Sequence, residues 1–332
     1  MKQAIYNGIK NVIVKELDTP NIKDDGILVK NICSSICGSD VSAYFHGGEF
    51  AGIYPGAEFG HEMISEVVKV GKNVKGLEVG QRVYPFPLFA KNDIGRAGTV
   101  GGFSEYIEIP NCRENMSVFL VDNKITDIEG CLIEPLTVGC HAAKLTNPQN
   151  HQNAIVFGAG MIGMASAIAL DYLGIKDIMI SDVSPLRLEI AKNMGFKVCN
   201  VKEKDVFTYA KKIFGEENGK ADVDIFIDAA GVVSNIDLFI NQAKFGATLS
   251  IVAVYHQPIS IDLMKLTYGQ FNIIGSPAYD LSDVKTVMEI LQSKKYNIES
   301  LVTQKYSLDS IQEALEKAAD SMTSLKVIID YR

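Results

Sequence analysis

Residues 154–174, AIVFGAGMIGMASAIALDYLG, constrain the fold more than any other stretch of the chain. A run of strand formers ends in glycines, and a segment of helix length and helix-forming composition follows directly. Gly158, Gly160 and Gly163 fit the spacing G-x-G-x-x-G, with Ala159, Met161 and Ile162 between them. A glycine-rich turn alone is weak evidence. Here it follows a strand, opens a helix, and precedes Asp182 at the end of the next strand, DIMISD, about 20 residues on. Gly158 permits the tight turn, Gly160 lets backbone approach a pyrophosphate, and Gly163 lets helix and strand pack closely. The helix amino terminus then offers unpaired N–H groups and partial positive charge to the phosphates. Asp182 would accept hydrogen bonds from the adenosine ribose and repel a 2′-phosphate, which favours NAD over NADP. Arg187, one helical turn away, is the residue able to pair with such a phosphate instead.

The same alternation continues through SPLRLEIAKNMG, DVDIFIDAAG, ATLSIVAVY and FNIIGS, so βαβ units around a doubly wound parallel sheet are expected. Up to about residue 145 the texture differs. ILVKNIC, MISEVVKV, QRVYPF and FSEYIEI are short extended segments broken by Gly, Pro and Asn, as in a small barrel or sandwich. At 332 residues the chain has length for two domains. Beyond Ala278, VKTVMEILQS and SIQEALEKAA read as helices, and LKVIIDYR ends as a strand able to rejoin the first domain. The expected division is 1–146 with 279–332, and 147–278 as a nucleotide-binding insertion.

A net charge of −8 argues against a nucleic-acid partner. The six cysteines lack the spacing of a disulfide framework, which points to the cytoplasm. No signal peptide or apolar run long enough to span a bilayer is present, so no membrane partner is expected.

Three polar oddities stand in the first domain. Cys37 lies in ICGSD, His61 and Glu62 in FGHEMISEVV, and Glu134 in CLIEPLTVG, just before a proline. A thiolate, an imidazole and one or two carboxylates make a zinc site with room for an exchangeable ligand.

In this order, ICGSD, GHE followed by Gly71 and Val74, IEPLTVG and GAGMIG resemble the zinc-dependent medium-chain alcohol and polyol dehydrogenases over essentially the whole chain. The Glu-Pro-Leu form is similar to the sorbitol, threonine and galactitol-phosphate dehydrogenase branch. The resemblance implies a GroES-like β-rich catalytic domain joined to a Rossmann domain, and hydride exchange between a secondary alcohol and NAD. It implies zinc ligation by Cys37 and His61, with Glu62 and Glu134 supplying the carboxylates. Ser39 would contact the substrate hydroxyl and begin a proton relay. A homodimer or homotetramer acting on a small alcohol or carbonyl is implied as well.

Three positions depart from the family. Ser42 stands where many relatives carry the relay histidine, and Ser65 replaces a common glycine, which puts local backbone geometry in doubt. YPFPLFAKNDIGRAGTVGGF lacks the four cysteines of a structural zinc, so one zinc is expected rather than two. Cys33 and Cys140 read as core, His141 as a cap or surface residue, and Cys112, Cys131 and Cys199 have no companion ligands at useful spacing. Two alternatives stay open: a metal-free NADPH-dependent quinone or enal reductase of the same fold, and an inactive dinucleotide-binding regulator.

Overall fold

One face of the strand Ile27–Ser35 is buried from end to end, with Ile27, Val29, Asn31, Cys33 and Ser35 almost wholly inaccessible, while Lys30 on the other face is exposed. A strand of that pattern needs cover on its buried face and partners along its edges. In the computed structural model, which describes residues 1–93 and 98–332, it pairs antiparallel with Glu62–Val70, Tyr106–Ile109 and Lys326–Asp330. These belong to a seven-stranded sheet that also holds Val302–Tyr306, Arg82–Pro85 and Val118–Leu120. A smaller sheet joins Asn11–Glu16, Lys2–Gly8 and Ala57–Glu58. The resulting unit comprises Met1–Glu134 and Ile298–Arg332. Part of the stretch read as lacking structural-zinc cysteines, residues 94–97, lies outside the described residues.

The second unit, Pro135–Asn297, holds a six-stranded parallel sheet. Its order is Lys197–Asn200, Asp177–Asp182, Asn153–Phe157, Ile225–Asp228, Thr248–Ile251 and Asn272–Gly275. Numbered along the chain this is 3-2-1-4-5-6, the doubly wound dinucleotide-binding arrangement. Its core is aromatic on one side: Phe157, Phe207, Phe226 and Phe239 pack as one cluster.

The boundaries differ from those expected at 146/147 and 278/279. The helix Ile133–Leu145, apart from its first two residues, and the helix Leu281–Ser293 belong to the nucleotide unit. The cause is packing. A Cβ on Gly139 would lie 2.4 Å from the Ala165 side chain, so this helix runs hard against the helix of the glycine turn, Met161–Tyr172. Asp283, itself buried, accepts from Lys144 Nζ at 2.8 Å and meets His141 Nδ1 at 2.7 Å. Its carboxylate also accepts the Asp280 N–H at 2.9 Å, closing the amino-terminal cap of Leu281–Ser293. His141 therefore holds a capping residue rather than being one. Asp280 lies near this pair as well, but the Lys144 ammonium already supplies the positive charge there.

Candidate metal and dinucleotide sites

In the first unit, strand pairing does the gathering. Ser35 is opposite Glu62 on one edge of its strand and opposite Ile328 on the other. That register brings the ends of three strands together beside Cys37, which precedes the helix Gly38–His46. The Cys37 N–H donates to Asp40 Oδ2 at 2.9 Å, tying the helix start to its own first turn. His61 immediately precedes Glu62–Val70. Donor atoms of Cys37, His61 and Glu62 all lie within 4.8 Å of one another.

Glu134 sits in the first turn of its helix and is 7% exposed. Its charge acts on both His61 and Lys326. Ser39 is half-buried in the first turn of Gly38–His46 and has no hydrogen bond among the described residues. Ser42 is half-buried on the same helix.

Two buried polar atoms here have no hydrogen-bond partner among the described residues, His61 Nδ1 and Asp40 Oδ1, which are 3.9 Å apart. Unpartnered buried polar groups are costly and call for an explanation, a bound ion or water being one. Burial would lower the His61 pKa, but Cys37, Asp40 and Glu134 together raise it well above its ordinary value. Burial pushes the Asp40 carboxyl up to about 6, against the pull of His61 and of the Cys37 N–H. A cluster of anions around an imidazole under this electrostatic pressure fits a divalent cation. The mixed sulfur, nitrogen and oxygen donors suit zinc.

Sequence reading missed three residues of this cluster. Lys326 is 4% exposed, and its ammonium lies 2.5 Å from Glu62 Oε2 and 2.8 Å from the Ile36 carbonyl. Burial disfavours its charge, yet Glu62 and Cys37 hold its pKa above the ordinary value. The Ser35 hydroxyl donates to Glu62 Oε2 and lies 3.3 Å from the Cys131 carbonyl. Asp40 lies within ICGSD itself. The available signal was a lysine inside the apolar run LKVIID, where a charge has to find a partner. Cys131 joins no candidate metal-ligand group among the described residues, but it does touch another thiol. Its sulfur is 3.2 Å from that of Cys33, both buried as free thiols. Cys140 is buried, which pushes its thiol up to about 12. Beside Ser65 the pairing of Ile27–Ser35 with Glu62–Val70 does slip, between Asn31 and Cys33, but the side chain finds a partner there. It donates to Asn31 Oδ1 at 2.6 Å, and Asn31 in turn binds the carbonyls of Gly102 and Ser104.

In the second unit the turn is built from backbone. Gly158 has φ 97°, in the left-handed region, and a Cβ on Gly163 would lie 1.8 Å from the Gly158 carbonyl oxygen. Met161 and Ile162 form the first turn of the helix that begins there. A Cβ on Gly160 would meet only Arg187 Nη1, at 3.6 Å, so this face is open to an approaching group. Asp182 Oδ2 accepts the Ala159 N–H at 2.6 Å, and Oδ1 accepts those of Val183 and Ser184 at 2.7 and 2.8 Å. A cleft of about 400 Å³ adjoins it, lined by Gly158, Asp182, Val183, Val206 and Leu238 among others.

The strand order and the glycine turn define a dinucleotide-binding fold, and the Cys37, His61 and Glu62 donors in the first unit form a candidate metal cluster. Residues 23–117 match the alcohol dehydrogenase GroES-like domain, and residues 161–293 match the zinc-binding dehydrogenase domain. Bovine (Bos taurus) sorbitol dehydrogenase is 30% identical, over 98% of this chain and 94% of its own. Sorbitol dehydrogenase of Bacillus subtilis is 29% identical, over 99% and 97%. The crystal structure of galactitol-1-phosphate dehydrogenase from Escherichia coli superposes with a TM-score of 0.85 at 25% identity, covering the whole of both chains (100% and 100%). The chain belongs to the zinc-dependent medium-chain alcohol and polyol dehydrogenases, which exchange hydride between an alcohol and a nicotinamide cofactor. Among the described residues no helix is long and apolar enough to cross a membrane.

Proposed function

We propose that this chain is an NAD-linked dehydrogenase with one zinc, oxidising a secondary alcohol of a polyol, sugar alcohol or sugar-alcohol phosphate. The observation that carries the reading is the convergence of donor atoms of Cys37, His61 and Glu62, all within 4.8 Å of one another. Cys37 and His61 hold the ion, with Glu62 and Glu134 sharing the carboxylate positions. Bound there, zinc supplies Lewis acidity toward the oxygen of the alcohol or carbonyl.

The chain's own residues do the rest. Asp40 orients His61 and balances its charge from behind. Lys326 and Ser35 both hold Glu62 Oε2, so an ion bound beside it would share that carboxylate with the ammonium. Ser39, half-buried two residues from Cys37, takes the substrate hydroxyl proton. With serine at position 42, the proton leaves by water or a cofactor hydroxyl. In the second unit the helix start at Gly160–Gly163 receives the pyrophosphate. Asp182 takes the ribose hydroxyls and disfavours a 2′-phosphate against the pull of Arg187.

The names of the sorbitol and galactitol-phosphate relatives support the substrate class. The edge strand Asn272–Gly275, with exposed Leu263, Met264 and Tyr268 on the helix before it, supports a homo-oligomer. Reduced cysteines, consistent with the free thiols, support the cytoplasm.

The test is protein purified without chelator, assayed for metal content and for NADH formation across polyols, sugar-alcohol phosphates and amino alcohols. One zinc per chain with NADH formed on a polyol is the expected result. A metal-free chain reducing quinones with NADPH, or one inert on the panel, overturns the proposal.

A further inference from the structure

The central strand Ile225–Asp228 ends in a carboxylate that is 0% exposed. A buried anion is costly unless its oxygens are satisfied. Asp228 forms no ion pair among the described residues, and neutral donors surround it instead. Tyr255 donates its hydroxyl to Oδ2 at 2.5 Å. Asn235 Nδ2 donates to Oδ1 at 3.0 Å, and the Ala230 N–H to the same oxygen at 3.3 Å. Burial and the facing carboxylate both raise the Tyr255 pKa, so the phenol keeps its proton and stays a donor.

This cage joins two loops. One is the turn after the strand, where Ala230, Val232, Ser234 and Asn235 line the cleft beside Asp182. The other is the segment after Thr248–Ile251, which carries Tyr255. Backbone contacts bring them close: the Val252 and Ala253 N–H groups both donate to the Asp228 carbonyl at 3.0 Å. Gly231, at φ 69°, approaches so near that a Cβ there would lie 3.2 Å from the Val254 carbonyl oxygen. The Tyr255 hydroxyl also lies 3.3 Å from the Val232 carbonyl. Tyr255 itself does not line the cleft.

We propose that Tyr255, acting through the buried Asp228 carboxylate, is a positioning residue for the adenosine half of the dinucleotide, setting one wall of its cleft from outside. The inference rests on the reading of that cleft as the dinucleotide site. It adds a residue outside the lining of the cleft. Without the hydroxyl, one carboxylate oxygen loses its strongest partner and Asn235 is no longer held in a single place. The ligand must then order the wall itself, and affinity falls.

The test uses the full-length, zinc-loaded protein, with Tyr255→Phe as the first variant and Asp228→Asn, which keeps the shape of the side chain, as the second. NADH and ADP-ribose are titrated separately, thermal midpoints are recorded, and steady-state constants are measured on the best polyol substrate. Losing a hydrogen bond to a charged group should raise both dissociation constants in Tyr255→Phe about tenfold. KM for the cofactor should rise in step while kcat at saturating cofactor stays within twofold. Asp228→Asn should shift both constants in the same direction. Wild-type protein that binds both ligands, with both variants matching it within twofold, overturns the inference alone. So does a variant that loses thermal midpoint and kcat with KM unchanged, since that is a purely structural role. Wild-type protein that binds neither ligand overturns the cleft reading and the inference with it.

Discussion

Glu62 and Asp228 are both buried carboxylates at strand ends, and the two units satisfy them by opposite means. Glu62 is answered by an ammonium from the far end of the chain and lies within reach of a thiol and an imidazole. Asp228 is answered by a phenol, an amide and a backbone N–H, all within 27 residues. A charge matched by another mobile charge can trade partners, because a divalent cation offers the same compensation as the ammonium. A charge caged by neutral dipoles has nothing to trade and holds its surroundings still. The first arrangement suits a centre where ligands exchange, and the second suits a wall that must keep its shape.

The strongest way to break this contrast is to remove a ligand. Cys37→Ser and His61→Ala should each lose the zinc, measured by elemental analysis, and leave turnover below detection, while NADH binding in the second unit persists. Next is Lys326→Met. It strands Glu62 as a buried charge and should destabilise the zinc-free protein by about 3–5 kcal/mol in urea denaturation. The double variant Glu62→Gln/Lys326→Met should recover most of that loss, because the cost lies in the unmatched charge and not in the missing contact.

In the second unit the equivalent break is steric. Gly163→Ala drives a methyl into the Gly158 carbonyl and should cost about 1–3 kcal/mol, with a parallel loss of NADH affinity in a fluorescence titration.

A smaller effect, set by pH, belongs to Asp171. Burial opposes its ionisation, but hydrogen bonds from Lys295, Tyr296 and Lys176 hold its carboxyl below the ordinary range. A depressed folded-state pKa means the stabilisation is complete above the unfolded value of about 4 and is lost as pH falls through the folded value. Asp171→Asn should therefore lower the calorimetric midpoint by about 2–4 °C near neutrality. The gap should close in acid. Ser65→Gly, which removes only the bond to Asn31, should cost about 1 kcal/mol in urea.

What could be read from the residues follows the same divide. The glycine turn, its helix and Asp182 were legible because their chemistry is local: each glycine answers a backbone need met within a few residues. Cys37, His61 and Glu134 stood out because polar residues in apolar runs need partners, and the family pattern supplied the grouping. Lys326, Ser35 and the Cys33–Cys131 contact were not legible, since register across separate strands decides them and spacing along the chain says nothing of it. The two compact units divide at other points than the expected domains for a related reason. Helices Ile133–Leu145 and Leu281–Ser293 are claimed by Gly139 packing and the Asp283 ion pairs, which appear only once the helices are side by side.

The terminal strand that brings Lys326 to Glu62 also sets a timetable for synthesis. Residues 135–297 are synthesised before that strand, so the chain of the second unit is complete while the first still lacks its last strand. Until then Glu62 lacks its ammonium partner, and the first unit can complete its sheet only after the second has been made.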